Sequence, residues 1–258
     1  MNAFEQHKID HLSASSLNTW INAPSLWVME KLLGHRSRMG AAAHRGTATE
    51  AGVSAGLFDH DLSREDCVAV AMPVFDRLTA LSGDPKRDSE RGVIPGMITQ
   101  GLALRSHGLP QRPNSGSQFG GQEQHKVEIR LAGVAVRIVG YLAWLYADEI
   151  LDLKTTLRVP SSLSETHARQ ASVYKTAHMD RHVRFFYVSD KKAEKHTLTR
   201  EQYDAAIGQL IGSAQRLERF LSLSNDPHEL ASIVPHSSES FYFNEPVTKA
   251  KAVEVFGY

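Results

Sequence analysis

Several features of other protein classes are missing from this 258-residue sequence. Its one cysteine, Cys67, excludes an internal disulfide, a cysteine-ligated zinc site and a four-cysteine iron–sulfur cluster. No run approaches the roughly 20 apolar residues that a membrane-spanning helix needs, and residues 1–12 lack the apolar core of a signal peptide. We therefore expect a cytoplasmic protein with no membrane partner and no iron–sulfur cluster.

Neither sign of charge is in excess, because 29 lysines and arginines balance 29 aspartates and glutamates. A nucleic-acid partner would therefore have to bind to local basic patches rather than to a global positive field. No phosphate-binding loop of the Gly-x-x-x-x-Gly-Lys type is present, which excludes a helicase motor of that class from this chain. The apolar fraction of 41% is that of an ordinary globular protein.

The first part of the chain, residues 1–107, has the spacing and capping residues of helices. Ser13 or Ser15 is a suitable N-cap for the first long helix, and Ser63 opens another that extends to about Leu81. A further helix is predicted to begin near Gly46. This part should therefore form a helical region that precedes the sheet.

Residues 108–122 are rich in proline, glycine and serine, which predicts a loop. Residues 123–258 then mix the two periodicities. Alternation predicts strands at residues 126–131, 134–140, 183–188 and 195–199, and helical spacing predicts helices at residues 163–180 and 201–223. We expect a single α/β domain over residues 1–258, with a central mixed β-sheet flanked by helices and a helical N-terminal part.

Residues 150–154 read as a short strand that carries an acid and a base two positions apart. Alternate side chains share a face in a strand, so Asp152 and Lys154 should point one way, and Leu151 and Leu153 should point into a core. Taken alone, this pair is weak support for a site, because a half-exposed strand often carries a surface ion pair. Whether the pair belongs to a functional site depends on the residues around it.

The preceding hairpin arm determines what lies opposite Asp152. If the turn is centred on Ala147 and Asp148, antiparallel pairing places Ala143 directly opposite Asp152, with Cβ atoms about 5 Å apart. A turn shifted by one residue would place Leu145 there instead. Carboxylates at both positions would share a divalent ion, and hard oxygen ligands favour Mg²⁺ or Mn²⁺.

Three further features accompany this strand in the sequence. Residues 12–24 combine the pattern Leu-Ser-x-Ser-x-Leu with a proline-containing helix start. Glu50 follows Gly46 in an otherwise neutral helical stretch. Gln170 and Tyr174 are four residues apart in a predicted helix, so they lie on one face of it.

Taken in order, these motifs resemble those of the PD-(D/E)XK nuclease superfamily, in particular its RecB-like and phage-type DNA exonucleases. The resemblance covers about residues 12–190 and includes a Gly-x-x-Asp strand, which begins here at Gly140. It implies a restriction-endonuclease-like core and a Mg²⁺- or Mn²⁺-dependent DNA exonuclease that acts in recombination, repair or phage DNA processing. DNA is the implied partner, and a recombination or single-strand annealing protein would be compatible with that role.

The resemblance also implies a role for each matching residue. Asp152 is expected to bind the metal ion through its carboxylate and Leu153 through its main-chain carbonyl, with Glu50 as a further ligand. Lys154 is expected to be the catalytic lysine. Together these four residues would form the metal-binding and catalytic part of the site.

DNA contacts are expected from two groups of residues. The resemblance implies that Gln170 and Tyr174 contribute to catalysis by positioning DNA near the cleft. Arg36, Arg38 and Arg45 lie in a basic segment without acids and are candidates for contacts to the DNA backbone. A solvated charged turn is the alternative interpretation of these arginines.

The sequence departs from the family at Ala143, where the Gly-x-x-Asp pattern would place the principal metal ligand. A methyl group cannot bind Mg²⁺, so we expect a site that is weakened or inactive. Two explanations remain open. Ala143 is a deliberate inactivating substitution in an active nuclease, or the protein is a natural degenerate relative that binds DNA without cleaving it.

Overall fold

The computed structural model describes residues 2–35, 37, 39–113, 118–119, 122–237, 239–243 and 246–257. The helices are α1 (Ala3–Gln6), α2 (Ala14–Asn22), α3 (Pro24–Lys31), α4 (Ala41–Phe58), α5 (Arg64–Leu78), α6 (Arg87–Gly92), α7 (Ile94–Gly101), α8 (Glu165–Ala177), α9 (Arg200–Leu221), α10 (Pro227–Ser232) and α11 (Pro246–Phe256), with 3₁₀ turns at Leu102–His107 and Phe241–Phe243. None of these helices has the length and apolar character needed to cross a membrane.

The strands lie mainly in the second half of the chain. They are β1 (His11–Leu12), β2 (Gln118–Phe119), β3 (Gln122–Glu123), β4 (His125–Ile129), β5 (Arg137–Leu142), β6 (Trp144–Leu145), β7 (Glu149–Thr155), β8 (His182–Val188) and β9 (Ala193–Thr197). The helices and strands predicted after residue 123 are confirmed to within a few residues at each end. The predicted loop at residues 108–122 contains the short antiparallel β2 strand and the start of its partner β3.

The predicted helical N-terminal part is confirmed. Ser13 caps α2 by accepting a hydrogen bond from the Ser16 main-chain nitrogen at 3.0 Å. Ser63 caps α5 in a reciprocal capping box with Asp66, as its sequence pattern predicts. The helical stretch at residues 87–107 is divided into α6, α7 and a 3₁₀ turn.

One helix boundary in this part differs from the prediction. Helix α4 begins at Ala41 rather than near Gly46. Its N-cap residue, Gly40, has no side chain to cap the helix, and the Asp84 carboxylate accepts the hydrogen bond from the Ala41 main-chain nitrogen at 2.8 Å instead. The cap comes from a residue distant in sequence, so local spacing could not reveal the start.

The mixed α/β fold class is confirmed, but the described strands form two mixed sheets and a separate two-stranded ribbon, β2-β3, rather than one central sheet. The first has the order β1-β5-β4 and the second the order β6-β7-β8-β9, and each contains one parallel pair, β1 with β5 and β7 with β8. The chain passes from the first sheet to the second at Ala143, the single residue between β5 and β6. The junction of the two sheets therefore coincides with the position where the sequence departs from the Gly-x-x-Asp pattern.

Strand β7 lies inside the four-stranded sheet, and both of its faces are covered. Ile150 belongs to a core cluster that includes residues of α2, α8 and α9. Leu151 and Leu153 belong to a second cluster, formed with residues of α4, α5 and α7. The prediction that these two leucines point into a core is confirmed. Asp152 is only 5% exposed, so the alternative of a surface pair on a half-exposed strand is wrong.

Candidate active site

The β6–β7 hairpin has the register expected for a turn centred on Ala147 and Asp148. The paired residues are Trp144 with Leu151 and Leu145 with Ile150. This pairing excludes the shifted turn, which would have placed Leu145 opposite Asp152. Ala143 lies in a bend just before β6 and is paired in neither sheet, and it would face Asp152 only if this register were continued by one residue. Ala143 itself packs in the core cluster that contains Leu151 and Leu153.

Asp152 and Lys154 form a close ion pair on one face of β7. The Lys154 Nζ atom lies 2.6 Å from Asp152 Oδ2 and 5.0 Å from the centre of the Phe185 ring. Despite this ion pair, the buried Oδ2 atom has no hydrogen bond of good geometry with any described residue. Its charge is compensated by the Lys154 ammonium group, the cationic partner that a buried carboxylate needs.

Helix α4 brings a second carboxylate to Asp152. Glu50 Oε1 accepts a hydrogen bond from Gln124 Nε2 at 2.7 Å. Burial raises the pKa of Glu50 to about 7, and the negative charge of Asp152 contributes to the rise. The Gln124 hydrogen bond and the positive charge of Lys154 act in the opposite direction without offsetting it. The two carboxylates are close enough to repel each other, which is the condition that a shared cation relieves.

The close approach of α4 to β7 depends on a small residue and a buried ion pair. A Cβ atom at Gly46 would lie 3.3 Å from Thr155 Oγ1, so a larger residue there would crowd the strand. Arg45 forms an ion pair with Glu90, and its Nη2 atom donates to the Thr155 main-chain carbonyl at 3.2 Å. The prediction that Arg45 contacts the DNA backbone is therefore wrong, because its guanidinium is buried and already paired.

Helix α8 reaches Asp152 from the other face of the sheet. The Tyr174 hydroxyl accepts a hydrogen bond from Gln170 Nε2 at 2.6 Å, donates to the Tyr141 carbonyl at 2.5 Å and lies 3.3 Å from Asp152 Oδ1. Burial raises the pKa of Tyr174 well above its usual value. A Cβ atom at Gly140 would lie 3.2 Å from Tyr174 Cε1, which explains the glycine of the Gly-x-x-Asp pattern here.

These contacts orient Asp152 directly. The Tyr174 side chain is 1% exposed, whereas Gln170 is only partly buried. A contact between Gln170 or Tyr174 and DNA stays a prediction.

Sequence reasoning missed His167, which lies on the same face of α8. Its Nδ1 atom is 2.5 Å from the Tyr187 hydroxyl, and its ring stacks on Phe185 with centres 5.5 Å apart. Burial lowers the pKa of His167 to about 4, and the nearby Lys154 charge adds to this effect, so the imidazole is neutral at neutral pH. Its position three residues before Gln170 was a signal that helical spacing could have revealed.

Gln124 was also missed, and the sequence held no comparable signal for it. The β4–β5 pairing sets His125 opposite Leu142, and one more residue along this register places Gln124 opposite Ala143. Gln124 is buried and donates to Glu50. Its hydrogen bond to Glu50 depends on how the two sheets meet, and local sequence patterns do not predict that arrangement.

The structure brings most of the predicted site residues together. Those that converge at one end of β7 are Glu50, Ala143, Asp152, Leu153, Lys154, Gln170 and Tyr174. Arg45 lies beside this group as a buried support, and Arg36 and Arg38 lie outside the described residues. The convergence joins residues more than a hundred positions apart in the sequence.

The donor atoms at this site suit a hard divalent cation in kind but are few in number. Glu50 and Asp152 supply carboxylate oxygens, one of which, Asp152 Oδ2, already contacts the Lys154 ammonium group. Among the described residues, no group of three histidine, cysteine, aspartate or glutamate side chains could hold a metal ion. An aspartate at position 143 would be the third carboxylate.

Comparisons with known proteins add little. No protein-family model matches the chain, and no curated protein matches it. Among solved structures, the chain is similar to the crystal structure of a protein called SSO0001, with 13% identity over 76% of this chain and 86% of that one. The TM-score is 0.34. A similarity at this level carries no argument about function.

Proposed function

We propose that this chain is a PD-(D/E)XK-type deoxyribonuclease, a metal-dependent DNA exonuclease whose activity is reduced by Ala143. The observation that supports this most is the state of Asp152. It is buried, paired with Lys154 at 2.6 Å, and faced by a second carboxylate from Glu50, whose pKa is raised. Groups with perturbed protonation that converge in this way are typical of catalytic sites.

Mg²⁺ or Mn²⁺ would be held by the carboxylates of Glu50 and Asp152 and by the Leu153 main-chain carbonyl. When bound, the ion would polarise the phosphodiester as a Lewis acid and lower the pKa of an attacking water molecule. The other residues have roles that follow from their contacts. Lys154 would place its positive charge beside the phosphate, where negative charge develops during hydrolysis. Tyr174 would hold the Asp152 carboxylate in one orientation.

Ala143 sets the level of this activity. With a methyl group at position 143, two carboxylates rather than three are available to the ion. Fewer anionic ligands lower the affinity for Mg²⁺, and a weakly held ion stabilises the transition state less. The chain should therefore bind DNA and hydrolyse it slowly, within the recombination, repair or phage-processing role that the family resemblance implies.

The decisive experiment restores the missing carboxylate. We expect Ala143→Asp to raise Mg²⁺-dependent release of nucleotides from linear DNA by at least about a hundredfold, which corresponds to about 3 kcal/mol of transition-state stabilisation. Ala143→Asn is the matched control, because it has the same shape without the charge. Adding Lys154→Ala to Ala143→Asp should abolish the gain. A folded Ala143→Asp protein that degrades neither duplex ends nor single strands would overturn the proposal.

A second function, DNA binding without cleavage, is favoured by Ala143 itself. Under this alternative the unchanged protein binds DNA with an affinity that does not depend on Mg²⁺ and that falls steeply as the salt concentration rises. Ala143→Asp would then add metal-dependent binding but no hydrolysis. Measuring binding and nucleotide release in the same preparations separates the two functions.

A further inference from the structure

A small cleft opens next to Lys154. It has a volume of about 290 Å³ and is lined by Lys154, Thr155, Thr156, Arg158, Pro160, Ser164, His167 and Tyr187. Pockets for drug-sized ligands are generally larger than this, from roughly 300 to 1,000 Å³. The cleft therefore suits one small group rather than a stretch of polymer.

The chemistry of the cleft is that of an anion site. Its described lining contains two cationic side chains, Lys154 and Arg158, and no carboxylate. Lys154 is already paired with Asp152, whereas Arg158 is exposed and takes part in no ion pair between described residues. Burial raises the pKa of Tyr187 to about 12, so its phenol remains a neutral hydroxyl. A guanidinium that forms no ion pair with a described residue, next to a lysine ammonium group, is a combination that binds phosphate.

The backbone around Arg158 is held in place by its own hydrogen bonds. The Thr156 main-chain nitrogen donates to the Val188 carbonyl at 2.9 Å, which ties the end of β7 to β8. The Thr156 hydroxyl donates to the Arg158 carbonyl at 2.8 Å and accepts from the Arg158 main-chain nitrogen at 3.2 Å. The loop therefore presents Arg158 from a fixed point beside the site.

The opposite wall of the cleft is the beginning of α8. The Ser164 hydroxyl caps this helix by accepting from the His167 main-chain nitrogen at 3.3 Å. The positive end of the helix dipole adds to the two cationic side chains, and this favours an anion at the same place. Charge from the strand end and from the helix start therefore converges on one volume.

We propose that this cleft is a phosphate subsite, which binds the phosphate next to the one that the active site hydrolyses. Lys154 lines the cleft and also pairs with Asp152, so one lysine joins the two positions. The proposal rests on the proposed function only in naming the neighbouring phosphate as the one hydrolysed. The substrate is then a nucleic-acid strand that is engaged at two successive phosphates.

The test measures the binding of a fluorescein-labelled single-stranded oligonucleotide by fluorescence anisotropy in EDTA, across a range of salt concentrations. We expect Arg158→Ala to weaken binding about threefold to tenfold and to reduce the slope of log K against log salt by about 0.7, the value for one phosphate contact on a single strand. Arg158→Glu should have a larger effect. Because Arg158 is exposed, neither variant should change the thermal unfolding midpoint measurably.

Arg130→Ala is the matched control. Arg130 is also exposed but follows the far end of β4, six residues beyond Gln124, about 20 Å along an extended chain. Its loss should leave the salt slope unchanged. Strands that carry a phosphate or a hydroxyl at the 5′ or the 3′ end identify the source of the bound group. An effect of Arg158→Ala confined to one phosphorylated end assigns a terminal phosphate, and an equal effect on all strands assigns an internal one.

The subsite is rejected if the unchanged protein binds none of the strands, if both Arg158 variants bind like it, or if Arg130→Ala weakens binding as much as Arg158→Ala does. Failure of the subsite differs from failure of the nuclease proposal. Cleavage by Ala143→Asp together with unchanged binding by Arg158→Ala retains the nuclease and rejects the subsite. Weakened binding by Arg158→Ala with no cleavage by Ala143→Asp retains the subsite and rejects the nuclease.

Discussion

The two helices that reach Asp152 differ in how fully their polar groups are satisfied. On the α8 side, the Tyr174 hydroxyl is bonded to Gln170 and to the Tyr141 carbonyl as well as lying near Asp152. On the α4 side, Glu50 has one hydrogen bond from Gln124 and a pKa raised to about 7. The first side is complete within the protein, whereas on the second side burial and the charge of Asp152 favour a proton on Glu50.

This difference indicates that the two helices around Asp152 have different roles. A satisfied network resists movement, because breaking any of its bonds leaves a buried polar group without a partner. A pair of carboxylates that repel each other favours whatever brings positive charge, either a proton or a metal ion. We infer that α8 fixes the geometry of the site and that α4 makes it responsive to cations.

The largest expected effect concerns how α4 is held. Arg45→Ala should lower the free energy of unfolding by about 3–5 kcal/mol, because it leaves Glu90 as a buried charge without its partner. Urea unfolding followed by circular dichroism measures the change. The control is Arg200→Ala, which breaks an exposed pair with Asp204 and should have little effect. Equal effects of the two substitutions would show that the Arg45–Glu90 pair does not anchor α4.

Local periodicity predicted which residues of β7 and α8 share a face, and the family resemblance gave those residues their expected roles in the site. Alternation placed Asp152 and Lys154 on one face, and the turn position gave the register of the β6–β7 hairpin. The four-residue spacing placed Gln170 and Tyr174 on one face of α8. Each of these relations is decided by neighbours in the sequence, which is why a single chain reveals them.

The α4 side could not be predicted in the same way. The start of α4 depends on Asp84, the burial of Arg45 depends on Glu90, and the contact of Gln124 with Glu50 depends on the junction of two sheets. A basic segment without acids looked like a surface patch because its acidic partner lies 45 residues away in the sequence. Tertiary partners of this kind leave no mark in local spacing.

The next effect tests the raised pKa of Glu50. Its pKa is about 7 in the folded protein, against an ordinary value of 4.5, so the folded state keeps a proton in this range that the unfolded state has lost. The stability that this proton confers is fully present below pH 4.5 and is lost as the pH rises through 7. Glu50→Gln should remove this dependence, and its stability relative to the unchanged protein should rise by about 3 kcal/mol between pH 4.5 and pH 8.

These measurements require EDTA, so that no divalent ion occupies the carboxylates. Glu201→Gln, which changes an exposed carboxylate on α9, is the control and should follow the unchanged protein at every pH. Parallel stability curves for Glu50→Gln and the unchanged protein would mean that Glu50 is not a strained carboxylate. The proposed difference between the α8 side and the α4 side of Asp152 would then be wrong.

A smaller effect is expected from the satisfied side. Tyr174→Phe keeps the ring but removes the hydroxyl that accepts from the Gln170 amide and donates to the Tyr141 carbonyl, and it should cost about 1–3 kcal/mol. Its effect should not vary between pH 5 and pH 8, unlike that of Glu50→Gln, because the phenol stays neutral throughout. Tyr203→Phe removes a less buried hydroxyl and should cost less. A strongly pH-dependent cost for Tyr174→Phe would contradict the different roles of the two helices.

The smallest effect is the response of the unchanged protein to Mg²⁺. An ion that binds only the folded state stabilises it by RT ln(1 + [L]/Kd), about 1.4 kcal/mol when its concentration is ten times Kd. With two carboxylates, the shift of the thermal unfolding midpoint at pH 8 should be small. It should be larger in Ala143→Asp and absent in Glu50→Gln, with NaCl at matched ionic strength as the control. The three proteins differ only at positions 50 and 143. An equal shift in all three would therefore mean that the ion binds elsewhere on the molecule.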